Sequence, residues 1–298
     1  MPSSGAVPGR GKYFPLARAF DRLLTLMRIA LGLEYDGSGF CGWQTQPSRC
    51  AVQDAGDTAL SQIAAHPIES QCAGRTDAGV HAFGQVVHFD THSQRPLTAW
   101  VRGVNTLLPR AVVVNWAHEV PEAFHARYSA RGRAYVYLLV NRSERPGLHH
   151  THVGWHHHNL DLGFMREAAA HLLGTHDFSA FRAAECQARS PVKELRRLDI
   201  QRFGEMVLFD FAADAFLHHM VRNILGCLVK VGNGSRPPEW VKQVLQGRER
   251  ERAAPTFAAN GLYLTAVEYD ESWGLPGYSR ESSAQLLARF GPSPSFLP

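Results

Sequence analysis

The stretch Gly74–Ala82 (GRTDAGVHA) holds the residues best suited to chemistry. Its glycines permit tight or positive-φ backbone, so Arg75 and Asp77 can be presented together at a cleft rather than on a regular element. A carboxylate placed in this way can act as a nucleophile or stabilise positive charge, and a nearby guanidinium favours its charged form. The same residues also suit an ordinary Asx turn, so the stretch by itself leaves both interpretations open.

The histidines raise a second possibility, a metal site. Asp77 and His81 have i,i+4 spacing, and further histidines cluster downstream: His149, His150, His152, His156, His157 and His158. A metal site needs a defined ligand set with supporting contacts. The downstream histidines fall in a predicted loop beside Gly147 and Gly154, with no cysteine nearby. We therefore expect solvent-exposed loop histidines and no bound metal.

The elements that must position these residues begin with a strand and helix alternation in the first half of the chain. Alternating apolar residues predict strands at 28–35, 85–90 and 112–120, and apolar residues at helical spacing predict helices at 52–65 and 97–108. Residues 1–26, rich in Gly, Pro, Ser and Arg, show no sustained period, which predicts a disordered extension. Met27 stands directly before the first strand, so we hypothesise that it is the true start of the protein.

The second half of the chain continues the mixed pattern. Strands are predicted at 134–140, 195–202, 206–212 and 262–269, and helices at 162–173 (with Asp161 as N-cap), 215–231 and 239–245. The two halves have similar element content. They predict two α/β subdomains, residues 27–130 and 131–270, followed by a loose tail at 271–298.

Composition places the chain among globular proteins. Of 298 residues, 45% are hydrophobic and 19% charged, which excludes disorder, collagen and coiled coil as the dominant state. The net charge of +4 permits nucleic-acid binding without arguing for it. No stretch approaches the ~20 apolar residues that cross a bilayer. The five cysteines include no Cys-x-x-Cys pair and are expected to be reduced thiols, so we expect a cytoplasmic protein.

The loop GRTDAGVHA closely resembles the signature of the TruA family of tRNA pseudouridine synthases, and other segments agree in the same order. These segments are Tyr35–Gly37 with Phe40–Gln44, Phe124–Arg127 with Arg133–Tyr137, His176–Phe178, Phe216–Asn223 and Gly261–Leu264. The resemblance covers about residues 28–270. One departure is Val136, where relatives commonly have a basic residue.

The resemblance implies the pseudouridine synthase fold, an α/β (α+β) protein with two RRM-like, ferredoxin-like subdomains. It implies a mixed, mainly antiparallel sheet flanked by helices, with a central catalytic cleft. The implied activity is isomerisation of uridine to pseudouridine at positions 38, 39 and 40 of the tRNA anticodon stem-loop, by a homodimer without any cofactor. In that reaction the bond from C1′ to N1 breaks, the uracil rotates while held, and C5 bonds to C1′ before a proton is lost.

The resemblance also assigns site residues. Asp77 matches the family's catalytic aspartate, while Arg75 and Arg222 match positions at the same site, with Arg222 as the expected ion-pair partner of Asp77. Whether Asp77 attacks C1′, adds at C6 or assists a glycal route stays open. A stacked base must be extruded to react, and Tyr135 matches the tyrosine that stacks on the uracil. Tyr137 lies on the same face of the predicted strand and is expected in the core.

RNA binding requires basic groups that contact phosphates. The candidates are Arg127, Arg131, Arg133, Lys193, Arg196 and Arg197. Residues 248–252 alternate Arg with Glu and are expected to form a solvated face. His218 and His219 fall in a predicted helix, and we expect at least one of them to pack or hydrogen-bond near the cleft. Two other function classes stay open, a noncatalytic RNA-binding protein using the same cleft and a metal-dependent hydrolase built on the histidines.

Overall fold

One sheet organises the part of the chain that the structure, a computed structural model, describes, namely residues 26–276. Its strands within this range are β1 (Met27–Tyr35), β2 (Gln71–Cys72), β3 (His81–Thr91), β4 (Val112–Val120), β5 (Gly132–Asn141), β6 (Gly154–His156), β7 (Gly174–Asp177), β8 (Val192–Phe203), β9 (Met206–Ala213) and β10 (Leu262–Glu268). The central strands β5 and β9 are buried along almost their whole length. Such near-continuous apolar strands form where both faces of a sheet are covered.

The strand order confirms the predicted mixed, mainly antiparallel sheet. Along the sheet it runs β4-β1-β3-β10-β5-β9-β8-β7, with β2 beside β3 and β6 beside β5. Only the β3–β10 and β5–β6 pairs are parallel among the described strands. The short β3–β10 pairing, with Tyr263 opposite His81 and Leu264 opposite Ala82, joins the strands of the two halves. The division into subdomains at 27–130 and 131–270 stays a prediction, because strands from both share this sheet.

Helices cover the sheet and complete the core. They are α1 (Val52–Ala64), α2 (Val104–Leu107), α3 (Leu162–Ala170), α4 (Met220–Gly232) and α5 (Glu239–Gly247). Side chains alternate across a strand, so Tyr135 and Tyr137 of β5 join the main core with the helices, while Val136 and Leu138 join a smaller core on the opposite face. Asp161 caps α3 as predicted, because its carboxylate accepts from the backbone N–H of Phe164.

Tertiary contacts move several predicted boundaries. The helix predicted to begin at Ala215 begins at Met220, because the backbone N–H of Ala183 donates to the carbonyl of His218 and His219 adopts a left-handed conformation with φ of 63°. The predicted strand 85–90 extends over His81–Thr91 because it pairs with β1, β2 and β10. The predicted helix 97–108 is helical from residue 97 to Leu107, with a π-helical segment, Ala99–Gly103, directly before α2.

The start of the predicted loose tail and two of the cysteines also differ from expectation. In the predicted loose tail, Glu271–Trp273 form a 3-10 turn whose Trp273 ring packs 5.3 Å from Phe124. Residues 277–298 of that tail, and residues 1–25 of the extension predicted to be disordered, lie outside the described residues. Cys41 and Cys50 form a disulfide with Cα atoms 5.5 Å apart, so the prediction of reduced thiols is wrong for these two.

Candidate active site

A cavity of about 880 Å³ opens beside the loop that precedes β3. The four side chains that the sequence assigned to catalysis or to stacking on the base all line it: Asp77, Arg75, Tyr135 and Arg222. They come from three separate parts of the chain, namely this loop, β5 and α4. The fold therefore brings the predicted site residues to one place, at the junction of the two halves of the sheet.

Basic and imidazole groups surround the carboxylate of Asp77 on both oxygens. Arg222 donates from Nη1 to Oδ2 at 2.7 Å, and both side chains are largely buried, with 15% and 17% of their surface exposed. His218 Nε2 lies 3.2 Å from Oδ1, and His219 Nε2 lies 3.4 Å from Oδ2. Arg222 is itself fixed, since its Nε donates to the carbonyl of Phe257 at 2.8 Å. These contacts hold the carboxylate in one orientation.

Hydrogen bonds from neighbouring strands and from the 40–44 segment fix the backbone that carries Asp77. The hydroxyls of Thr76 and Tyr35 are 2.8 Å apart, and the Gln85 side chain donates to the carbonyl of Gly74 at 2.6 Å. The N–H of Trp43 donates to the carbonyl of Thr76 at 3.0 Å. The loop is therefore held by strand residues below it and by the 40–44 segment beside it, as a site built for precise presentation requires.

Gly42 allows the 40–44 segment to approach this closely. It has φ of +101°, and a Cβ atom there would lie 2.8 Å from the carbonyl oxygen of Thr76. We predict that Gly42→Ala lowers kcat by about 100-fold, because a displacement of roughly 1 Å at a reacting group has effects of that order. Gly39→Ala is the matched control, since a Cβ at Gly39 meets nothing within 4 Å. Equal activity of the two variants in a single-turnover assay would contradict this prediction.

Tyr135 and Tyr137 share a face of β5 but occupy different environments. Tyr135 lines the cavity and meets Phe216 edge to face at 5.1 Å. Burial, with the charge of Asp77 as a smaller cause, raises the pKa of the Tyr135 phenol. Tyr137 is fully buried, and its hydroxyl donates to the carbonyl of Ala258 at 2.9 Å. Tyr137 is thus a core residue, while Tyr135 presents an aromatic surface to whatever enters the cavity.

Sequence reasoning missed the segment that faces Arg75 across the cavity. Arg75 donates from Nη1 to Oε1 of Gln187 at 3.1 Å, and residues 185–190 all line the cavity. No local pattern could have identified them, because the two partners are 112 residues apart in the chain. Sequence reasoning did expect a histidine near the cleft, and the structure places both His218 and His219 on Asp77.

The six basic residues named for RNA contact have different surroundings. Arg127, Arg133 and Lys193 line the cavity. Arg133 donates to the carbonyls of Ala73 and Arg127, among others, and burial lowers its pKa. The remaining three form ion pairs: Arg131 with Asp270, Arg196 with Glu268 and Arg197 with Asp210. Arg127 is the exposed member of the set that lines the cavity.

Two groups of three possible metal ligands occur among the described residues, Asp36 with His81 and His152, and Asp77 with His218 and His219. Asp77 and His81 therefore belong to different groups, and the histidines at 149, 150 and 156–158 belong to neither. In the first group, His81 accepts from the N–H of Gly37 at Nδ1 and contacts the carbonyl of Thr151 through Nε2. In the second, a guanidinium already occupies Asp77. Protein groups therefore already contact at least one possible ligand atom in each group.

The arrangement suits chemistry at an electrophilic or cationic carbon. An oriented carboxylate can attack such a carbon or stabilise positive charge on it. An aromatic side chain lies beside it, and the cavity volume lies within the range of ligand sites, about 300–1,000 Å³. The imidazoles add ring nitrogens that can accept or donate a proton.

Comparison with known proteins identifies relatives over most of the chain. Residues 33–129 and 168–270 match the family described as tRNA pseudouridine synthase. A tRNA pseudouridine synthase A of Thiobacillus denitrificans is 62% identical over 84% of this chain and 96% of its own length. Proteins of the same name from Methylobacillus flagellatus and Dechloromonas aromatica are each 57% identical, over 86% and 84% of this chain and 98% and 95% of their own lengths.

Proposed function

Because the chain belongs to the tRNA pseudouridine synthase family and isomerises uridine to pseudouridine in tRNA, we propose that its targets are positions 38, 39 and 40 of the anticodon stem-loop, with Asp77 as the catalytic carboxylate. The observation that carries the assignment of the site is the Asp77–Arg222 ion pair in a cavity that also contains Tyr135. The motif resemblance over residues 28–270 supports the target positions.

The proposed roles follow from the contacts. Asp77 acts on the sugar or the base as the C1′–N1 bond breaks, and Arg222 holds its carboxylate in one orientation. The target uridine is stacked in the stem-loop and must be extruded before Asp77 can reach it. Tyr135 stacks on the extruded uracil, so the base stays in the cavity while it rotates. Arg75, hydrogen-bonded to Gln187 across the opening, contacts the sugar-phosphate of the extruded nucleotide.

The proposed phosphate contacts differ in availability. Arg127 and Lys193 lie at the cavity, with Arg127 exposed beside the ring of Tyr128 at 5.8 Å. Cations at this rim meet the backbone on either side of an extruded nucleotide. Arg131, Arg196 and Arg197 can join a wider RNA-binding surface only where RNA phosphates compete with their acidic partners. Arg133 has a structural role instead, because its guanidinium donates to the backbone carbonyls of Ala73 and Arg127.

We predict that Arg127→Gln weakens tRNA binding mainly at low salt. Loss of one phosphate contact reduces the slope of log K against log salt by about 0.7 to 0.9. Filter binding of tRNA at several salt concentrations measures this slope. Arg252→Gln is the matched control, because Arg252 is paired with Glu249 outside the cavity. Equal slopes for the two variants would remove Arg127 from the phosphate contacts.

Position-resolved mapping tests the proposed targets. An unmodified tRNA transcript with uridines at 38, 39 and 40 is incubated with the protein in chelator, and pseudouridine is located by carbodiimide labelling. We expect modification at these positions, and none in a transcript with cytidines there. Pseudouridine formed only outside the anticodon stem-loop would contradict the proposed targets. Activity abolished by chelator would support the metal-dependent alternative instead.

The resemblance also supports a homodimer in the cytoplasm. No helix in residues 26–276 is long and apolar enough to cross a membrane. Light scattering of the purified protein is expected to give twice the chain mass of 33.1 kDa. A monomer that is fully active on tRNA would contradict the dimer.

A further inference from the structure

Pseudouridine formation requires a proton acceptor that the proposed roles do not supply. Once C5 has bonded to C1′, C5 carries both a hydrogen and the sugar, and the ring has an N1=C6 double bond. To restore the uracil ring, the C5–H electron pair must form the C5=C6 bond and the N1=C6 π electrons must move to N1. N1 then takes a proton. The inference below rests on the proposed function, because it concerns this step at the same site.

Most side chains of the cavity are unsuited to accept the C5 proton. Arg75 and Arg222 are cationic donors, and burial raises the pKa of the Cys72 thiol to about 12. Tyr135 is held neutral by burial, which raises the pKa of its phenol. Neutral thiols and phenols are weak bases. The two imidazoles that line the cavity lie against the Asp77 carboxylate, and a neutral imidazole has a ring nitrogen that can accept a proton.

His218 has one ring nitrogen committed and the other available. Its Nε2 lies 3.2 Å from Oδ1 of Asp77, and a carboxylate oxygen at this distance favours the tautomer that carries its hydrogen on Nε2. A neutral imidazole with hydrogen on Nε2 has its lone pair on Nδ1. Within residues 26–276, no hydrogen bond of the protein engages this Nδ1. The side chain is 40% exposed and lines the cavity, so a substrate can reach it.

His219 is less suited to this role. It is 27% exposed, and the Asp77 oxygen that it contacts is also held by Arg222. Burial lowers the pKa of His219, with the charge of Asp77 opposing that shift. The two imidazole rings lie 4.0 Å apart between centroids, and Glu185 and Arg222 are the other charged groups whose field acts on His219. His219 therefore positions Asp77 and the neighbouring ring.

We propose that His218 is the general base that removes the C5 proton, with Asp77 holding its tautomer through Nε2. Nδ1 accepts the proton, the C5–H electron pair becomes the C5=C6 bond, and N1 takes a proton from water or back from the imidazolium. The proton that C5 loses is balanced by the proton that N1 gains, so the product is an isomer of the substrate. In this proposal the carboxylate orients the imidazole and the imidazole accepts the proton, as in other carboxylate–imidazole pairs.

The experiment uses tRNA transcripts in which every uridine carries deuterium at C5, compared with unlabelled transcripts. Single-turnover rates of total pseudouridine formation are measured for the wild type, His218→Gln and His219→Gln. We expect His218→Gln to be slower by about 10²–10⁴-fold, the usual contribution of a general base, with tRNA affinity within a small factor. Its isotope effect should rise above the wild-type value, because C5–H cleavage becomes rate-limiting. His219→Gln should be slowed without such a rise.

Chemical rescue separates this role from a loss of structure. Added imidazole is expected to restore part of the rate of His218→Ala and to lower its isotope effect. A His218 variant that is slow with no raised isotope effect and no rescue would overturn the proposal, and so would a variant with the wild-type rate. Since all uridines are labelled, the isotope measurement holds at whichever position is modified, so an error in the proposed targets is detected separately, by mapping.

Discussion

Replacement of Asp77 by alanine is expected to lower the rate of pseudouridine formation by at least about 1,000-fold, the size of effect seen when one charge-stabilising group is removed from an active site. The reason is that the carboxylate is the only acidic side chain in contact with Arg222, His218 and His219 among the described residues. Affinity for tRNA should stay within a small factor, because the contacts to phosphates come from other residues. Single-turnover assays and filter binding measure the two quantities.

Two further variants make the Asp77 result specific. Asp77→Asn keeps the shape and can still accept hydrogen bonds, but it lacks the charge and the nucleophilicity, so it should be as inactive as Asp77→Ala. Asp199→Asn removes an exposed carboxylate on β8 that lies outside the cavity, and it should retain the wild-type rate. An Asp77→Asn variant within about tenfold of wild type would show that the carboxylate is not the catalytic group.

Arg222→Ala is expected to reduce the rate by about 100- to 1,000-fold. The guanidinium holds Asp77 through Nη1 at 2.7 Å while its Nε donates to the Phe257 carbonyl at 2.8 Å, so it orients the carboxylate as well as stabilising its charge. Arg222→Lys keeps a positive charge but cannot make both contacts in the same geometry. We therefore expect its rate to lie between those of Arg222→Ala and the wild type. Comparison of kcat and KM for the two variants measures the effect.

Arg166→Ala is the matched control for this loss of an arginine. Arg166 also donates from Nε to a backbone carbonyl, that of Ile200 at 3.0 Å, but it is outside the cavity. The Arg166→Ala substitution should lower the stability of the protein and leave kcat unchanged. If Arg222→Ala and Arg166→Ala lowered kcat equally, or if Arg222→Ala raised only KM, the orienting role of Arg222 would be rejected.

The periodicity of the sequence predicted most of the elements, because burial of one face leaves a local trace. The spacing of apolar residues predicts a strand at 112–120, and β4 has those bounds. It predicts a helix at 52–65, and α1 ends one residue earlier. Short strands such as β2 and β7 escape this signal, since they have only two and four residues and depend on pairing with β3 and β8. Pairing with a distant strand leaves no periodic pattern.

Residues 215–219 show where local signals fail. Their pattern continues the apolar spacing of α4, and the sequence therefore predicts one long helix. In the structure, the backbone N–H of Glu194 donates to the Asp214 carboxylate and that of Ala183 to the His218 carbonyl, which hold this segment outside the helix. Both imidazoles consequently face Asp77. The contact partners lie on other elements, so no helical propensity could reveal this.

The sequence by itself determined most of the elements, the loop that carries Asp77 and, through motif resemblance, the family and its reaction. Only the tertiary structure decided which groups meet. Arg222 contacts Asp77 across 145 residues of chain and Gln187 contacts Arg75 across 112. Local patterns report burial of a face within a few turns or strand residues, whereas these pairs form because β3 and β10 join the two halves of the sheet beside one cavity.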